Sequence, residues 1–166
     1  MKEPQDLPLN HFDAQGQAIM VDICHKQPTL RTAVARSVVR MQPRILQAIL
    51  DREMVKGDVL GVARLAGISA AKRTDELIPL SHPLALHHLA VDFVPAAEAG
   101  TLEVRCTVKA LERTGVEMEA MVGCSVAALT VYDMCKGTDK QITIEQTALL
   151  FKEGGKSGTF RREEKL

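Results

Sequence analysis

The chain has no tryptophan, one tyrosine and four phenylalanines, so it offers few rings on which bases could stack, and a binder of single-stranded nucleic acid is disfavoured. Charge of one sign is not in excess either. Lys plus Arg and Asp plus Glu number 21 each, which leaves no global field to recruit nucleic acid or an anionic membrane, so any basic site must be local. No two of the four cysteines, Cys24, Cys106, Cys124 and Cys135, are spaced C-x-x-C, and no zinc motif occurs. The thiols therefore read as reduced and structural, and no metal site is expected. The N-terminal segment "MKEPQDLPLNHFDAQGQ" lacks the apolar centre of a signal peptide, and no run reaches the roughly 18 apolar residues of a membrane span, so the expected location is cytoplasmic. No G-x-S-x-G surrounds Ser81, which argues against a serine hydrolase. "GGKSG" resembles the end of a P-loop, but Leu150 stands where the first glycine is required.

What is present is the composition of one globular domain: 166 residues, 46% hydrophobic and 25% charged, with a core to be built from aliphatic side chains and methionine. Residues 1–17 read as a flexible arm, 18–158 as a single α+β domain and 159–166 as a charged tail. "AIMVDI" suits a short strand ending near Cys24. In "TLRTAVARSVVRM", Leu30, Ala33, Val34, Val38 and Met41 recur at helical spacing with Arg31, Arg36 and Arg40 largely off that face, which predicts a helix capped by Thr29. Pro43 opens a second, short helix, "KGD" breaks the chain, and "VLGVARLAGISAAKRTDEL" resumes a helix of mostly small residues. "IPLSHPLAL", with two prolines, is an extended loop. Alternation in "HHLAVDFV" and "TLEVRCTVKA" predicts two strands joined by a hairpin at "PAAEAG". A long helix from about 116 to 135 follows, then a strand in "QITIEQTALLFK" and a glycine loop in "EGGKSGTF". This order suits an α+β fold, a ferredoxin-like antiparallel sheet with helices packed on one face.

The ends of the long helix carry the first candidate residues. "TGVE" fits a capping box in which Thr114 and Glu117 satisfy each other's backbone donors, so Glu117 is either a cap or a ligand contact. Glu119 has no such role, and it opens a stretch, Ala120 to Tyr132, that contains no charge. A helix apolar on nearly every face is enclosed on nearly every side, and charges at its edge are where burial and neighbours tune a pKa. At the other end Asp133 opposes the helix macrodipole, at about 0.3 to 1 kcal/mol unless a cation offsets it. Lys136, three residues on, is close enough to do so, and the two form either a surface pair or part of an active site. Gly137 predicts a left-handed cap. Lysines mark the glycine breaks, Lys56 in "KGD" and Lys152 and Lys156 around "EGGKSG", where backbone N–H groups and a charge can meet a phosphate chain. His82, between Ser81 and Pro83, is placed like a recognition or acid/base residue, with Lys72 and Arg73 at the helix end before it. His87 and His88 point to opposite faces of a strand and do not chelate as a pair.

Together "KGDV", "GISAAKRTDELIPLSHPL", "TGVEMEA", "AALTVYDMCK" and "LLFKEGGKSG", in this order, closely resemble the molybdenum cofactor biosynthesis protein C family, the cyclic pyranopterin monophosphate synthases, from "MVDI" at 20 to "KSG" at 158. The resemblance implies a lyase that takes 3′,8-cyclo-7,8-dihydroguanosine 5′-triphosphate, rebuilds the purine as a pterin, closes a cyclic phosphate and releases pyrophosphate. It implies a ferredoxin-like homo-hexamer, a trimer of dimers with active sites at subunit interfaces, acting on a small molecule and not on nucleic acid or a membrane. It implies Asp133 as the catalytic aspartate, Lys56 and Lys136 as essential lysines, and a substrate pocket of Leu80, Ser81, His82, Met118 and Glu119. Lys26, Arg31, Arg73, Lys152 and Lys156 match basic positions for the phosphates and the rest of the pocket, which Glu117 adjoins. The family usually has cysteine where this chain has Ser81, which leaves that position a hydrogen-bonding role. The chemistry needs an acid/base group such as Asp133 and a lysine whose pKa neighbouring cations lower. No cofactor is required by the sequence, and Mg²⁺ accompanying the triphosphate has no residue pattern behind it. The competing class is a non-catalytic ferredoxin-like module that binds a nucleotide or RNA, and the missing aromatic pattern argues against RNA.

Overall fold

The computed structural model describes residues 11–163, whose elements run β1 (Thr29–Arg40), α1 (Pro43–Leu50), α2 (Val59–Ala71), α3 (Thr74–Leu77), β2 (His88–Ala96), β3 (Thr101–Glu112), α4 (Glu117–Cys135), β4 (Thr143–Glu153) and β5 (Phe160–Arg161). Every strand pairing is antiparallel, and the sheet order is β2-β3-β1-β4-β5. Its first four strands make the ferredoxin-like order, with β1 and β3 at the centre. The short β5 lengthens the sheet beside β4, so the first residues of the charged tail rejoin the fold.

Thr29–Arg40 is a strand, where its helical spacing predicted a helix. Its apolar residues fit both periods, and pairing decides between them. Ala33, Ala35, Ser37 and Val39 alternate onto the helix side and are fully buried, whereas Val34, Arg36 and Val38 face the open side of the sheet. With β3 on one flank and β4 on the other, the segment finds backbone partners along its whole length, a long-range effect that local periodicity does not report. "AIMVDI" likewise forms no strand. The chain there is held by a Phe12–Ala18 bridge and by Asp22, whose carboxylate accepts from the Cys24 N–H at 2.8 Å. Residues 1–10 of the expected arm and 164–166 of the tail lie outside the described residues.

The core lies between the sheet and two helices. β3 turns Leu102, Val104, Cys106, Val108 and Ala110 inward, and α4 crosses β1, β3 and β4 to bury Ala120, Cys124, Ala127, Ala128 and Val131 against them. α2 lies beside α4, over β2. Small residues set the spacing: a Cβ on Gly67 would come within 2.7 Å of the Gly123 carbonyl oxygen, and one on Gly123 within 2.6 Å of Cys106 Sγ. α2 stops where the buried Thr74 hydroxyl donates to the Ala71 carbonyl at 2.9 Å, so the single helix expected through Leu77 is two. By length and composition alone the 19-residue α4 is long and apolar enough to cross a membrane, but half of it is buried within this fold and its uncharged stretch runs only from Ala120 to Tyr132. Cys106, Cys124 and Cys135 are buried and free, whereas Cys24 is free and exposed and so packs into nothing structural.

Candidate functional site

At its N-terminal end α4 faces two adjoining cavities. The first, of about 880 Å³, gathers Lys26, Arg31, Arg113, Lys152 and Lys156, with Glu117 and Glu153 as its acidic members. The second, of about 500 Å³, is lined by Val21, Ile23, Ile78, Leu80, Leu84 and Met118 and by the polar groups of Ser81, His82 and Glu119. Lys26, Thr114, Gly115 and Glu117 border both, so the cationic space opens directly into the more apolar one. Such a pair suits a ligand with a polyanionic chain at one end and a ring at the other.

Local geometry explains these placements. Val116 is the N-cap of α4 and makes no side-chain cap bond, so the expected Thr114–Glu117 box does not form. Glu117 instead folds over Gly115, into space that a Cβ would fill, and its carboxylate lies 3.8 Å from Lys152 Nζ. His82 Nε2 contacts the Val21 carbonyl oxygen at 2.8 Å, which requires Nε2 to carry the proton and ties the irregular segment bearing Lys26 to the loop after α3. Glu119 is buried, and that burial pushes its carboxyl up to about 7, with the nearby charges of Glu117 and Asp75 adding to the shift. A carboxyl poised there can give or take a proton at neutral pH.

Asp133, Lys56 and Lys136 gather at the other end of α4. Lys136 Nζ lies 2.5 Å from Asp133 Oδ1, and Lys56 Nζ donates to the Asp133 carbonyl oxygen at 3.0 Å, so two cations offset the acid that the macrodipole disfavours. The hydrogen bond from Lys136, with the charges of Lys136 and Lys56, holds the Asp133 carboxyl below its ordinary value. Lys136 is raised by the same pair. This is the reverse of the lowered lysine that the sequence reading asked for, because its nearest charge is a carboxylate and not a cation. Asp133 is also exposed, its side chain 60% accessible, so in one chain it is not at a buried edge. Gly137 takes no positive φ. The helix closes on a right-handed Lys136, and the N–H groups of Thr138 and Asp139 both donate to the Cys135 carbonyl.

The structure therefore brings Lys26, Arg31, Lys152, Lys156 and Glu117 together with Leu80, Ser81, His82, Met118 and Glu119, and separately brings together Lys56, Asp133 and Lys136. The two groups are about 21 Å apart, the rise of the fourteen residues from Glu119 to Asp133. Arg73 lines neither cavity. Residues that sequence reasoning passed over are Arg113, next to "TGVEMEA", and His25, next to Lys26. Their adjacency to motif residues was the one available signal. Among the described residues no three His, Cys, Asp or Glu side chains gather as a set of metal ligands.

The sequence model of the MoaC family matches residues 20–155. The chain is 72% identical over 158 residues to the cyclic pyranopterin monophosphate synthase of Geotalea uraniireducens, covering 95% of this chain and 99% of that one. It is 69% identical over 155 residues to the protein of the same name from Pelobacter propionicus, covering 93% and 97%. It is 54% identical over 156 residues to that from Chloroflexus aggregans, covering 94% of each.

Proposed function

The chain belongs to the MoaC family, and we propose that it is a cyclic pyranopterin monophosphate synthase, converting 3′,8-cyclo-7,8-dihydroguanosine 5′-triphosphate to cyclic pyranopterin monophosphate with release of pyrophosphate. The observation that carries this reading is the five-cation cavity opening into a half-apolar pocket that ends on a buried carboxyl. Lys26, Arg31, Arg113, Lys152 and Lys156 suit the triphosphate, and the charge that builds as pyrophosphate leaves is stabilised by fixed cations without a covalent intermediate. Leu80, Ser81, His82, Met118 and Glu119 suit the ring. Ring opening and reclosure move protons on and off nitrogen and carbon, work for Asp133, with Lys56 and Lys136 beside it. The reading calls on no cofactor.

In the same reading the active unit is a homo-hexamer, a trimer of dimers with each site shared between subunits. What supports the sharing of a site is the gap of about 21 Å between the two residue groups, too wide for one small substrate to touch both within a chain. Between them α4 leaves Met118, Ser125 and Leu129 exposed or half-exposed, an uncharged stripe from one group to the other. A second copy laid antiparallel on that stripe brings its Asp133 to the first copy's Glu119.

Purified protein given the cyclised guanosine triphosphate under anaerobic conditions should release pyrophosphate and a pterin. Asp133→Asn and Lys56→Ala should each cut turnover by at least about 100-fold and leave the fold intact, because the contacts they remove are exposed. Wild type that binds the nucleotide and forms neither product would return the chain to the class of non-catalytic binding modules.

A further inference from the structure

Arg31 borders the cationic cavity, yet much of its guanidinium is committed to the protein. Nε donates to the Glu112 carbonyl oxygen and a terminal N–H to that of Arg113, both at 3.2 Å, so the side chain grips the turn from β3 into α4. Its other flank lies against the turn after β4. A Cβ on Gly155 would overlap Nη1 of Arg31, and one on Gly154 would overlap the Leu30 carbonyl oxygen and stand 3.1 Å from Arg31 Cδ. Both glycines have positive φ, 98° and 75°. Each of the segments that Arg31 touches carries cations to the cavity: Arg113 on one, Lys152 and Lys156 on either side of the glycines on the other. Lys152 is held further by the Ser157 hydroxyl.

Like charges gathered around one cavity repel, and beyond the β1 pairings that carry both strands, a side chain in contact with both turns opposes their separation. A planar guanidinium, with several N–H groups fixed in one plane, can span two carbonyls while its face packs on a third segment; an ammonium cannot. We propose that Arg31 is a positioning residue of the polyanion site, splinting the β3–α4 turn to the Gly154–Gly155 turn so that Arg113, Lys152 and Lys156 converge on one phosphate chain, with Gly155 leaving the space its guanidinium fills. This gives Arg31 a positioning role beyond the basic pocket position that resemblance implied, and it rests on the reading of this cavity as the triphosphate site.

Calorimetric titration of inorganic pyrophosphate into the assembled protein tests the splint. Gly155→Ala, which keeps every cation, should weaken binding about tenfold or more, because preorganisation is lost. Arg31→Lys should weaken it nearly as much as Arg31→Ala, and the Arg31→Ala, Gly155→Ala double variant should bind no worse than Arg31→Ala alone. Gly158→Ala controls for the strain of a positive φ, 65° there with open space around it, and should bind as wild type does. In turnover, Gly155→Ala should raise KM and leave kcat near wild type. If Arg31→Lys keeps most of the affinity and Gly155→Ala binds normally, Arg31 touches phosphate directly and the splint is wrong, while the triphosphate reading stands. Wild type that does not bind pyrophosphate overturns both. Should Gly155→Ala not fold, the comparison of Arg31→Lys with Arg31→Ala decides alone.

Discussion

Glu119 is 3% exposed, and its surroundings raise its carboxyl from an ordinary 4.5 to about 7. A carboxyl raised on folding is neutral and harmless at low pH. Its destabilising effect is absent below about 4.5, grows as the pH rises through the window to about 7, and is complete above it. A shift of this size corresponds to about 3 kcal/mol at most. Glu119→Gln should therefore unfold at higher urea than wild type at pH 8 and show little difference at pH 4.5; equal midpoints at pH 8 would mean that the carboxyl finds compensation on ionising. Asp133 behaves oppositely, its carboxyl lowered by Lys136 and Lys56, so it stays ionised throughout the range in which Glu119 titrates. Glu119 was legible as an acid without a capping role at the start of a charge-free helix. Arg113 was not, because one arginine before a motif looks like any other until the fold turns it toward Lys152 and Lys156.

α2 and α4 pack through glycines, and that is where single substitutions reach furthest. On Gly67 a Cβ meets the Gly123 carbonyl, a backbone atom that cannot swing aside, along with Ala127 Cβ at 3.0 Å and Val91 Cγ2 at 3.2 Å. Gly67→Ala should destabilise by about 1 to 3 kcal/mol, seen as a lowered Tm, despite alanine's better helix propensity. Gly137→Ala, with open space around it and no positive φ, should stay within about 0.5 kcal/mol of wild type. Equal Tm values for the two would show that the helix pair yields at this contact. Small residues in α2 announced close packing, and alternation announced β2 and β3. β1 was misread because Ala33, Val34, Val38 and Met41 satisfy a helical stripe while Ala33, Ala35, Ser37 and Val39 satisfy a strand.

Across the whole molecule the decisive feature is that α4 is a rod, with Glu119 near one end and Asp133 at the other. If each working site joins one chain's Lys56, Asp133 and Lys136 to a second chain's cavities, two inactive variants should complement. Lys56→Ala and His82→Ala chains, each inert alone, should on random mixing regain about a quarter of the wild-type activity, since half the dimers are mixed and each of those has one intact site of two. No recovery in oligomers shown to be mixed would place both groups in one subunit's site. The sequence by itself determined which residues carry charge and chemistry, the alternating strands and the long neutral helix, because these are local patterns readable within a few turns. The tertiary structure decided what depends on distant partners: that Thr29–Arg40 is the central strand, that Glu117 turns to Lys152 and not to a cap, that Arg31 is bound to two carbonyls, and that residues three apart at Asp133 and Lys136 stay together while those fourteen apart along a rigid helix cannot.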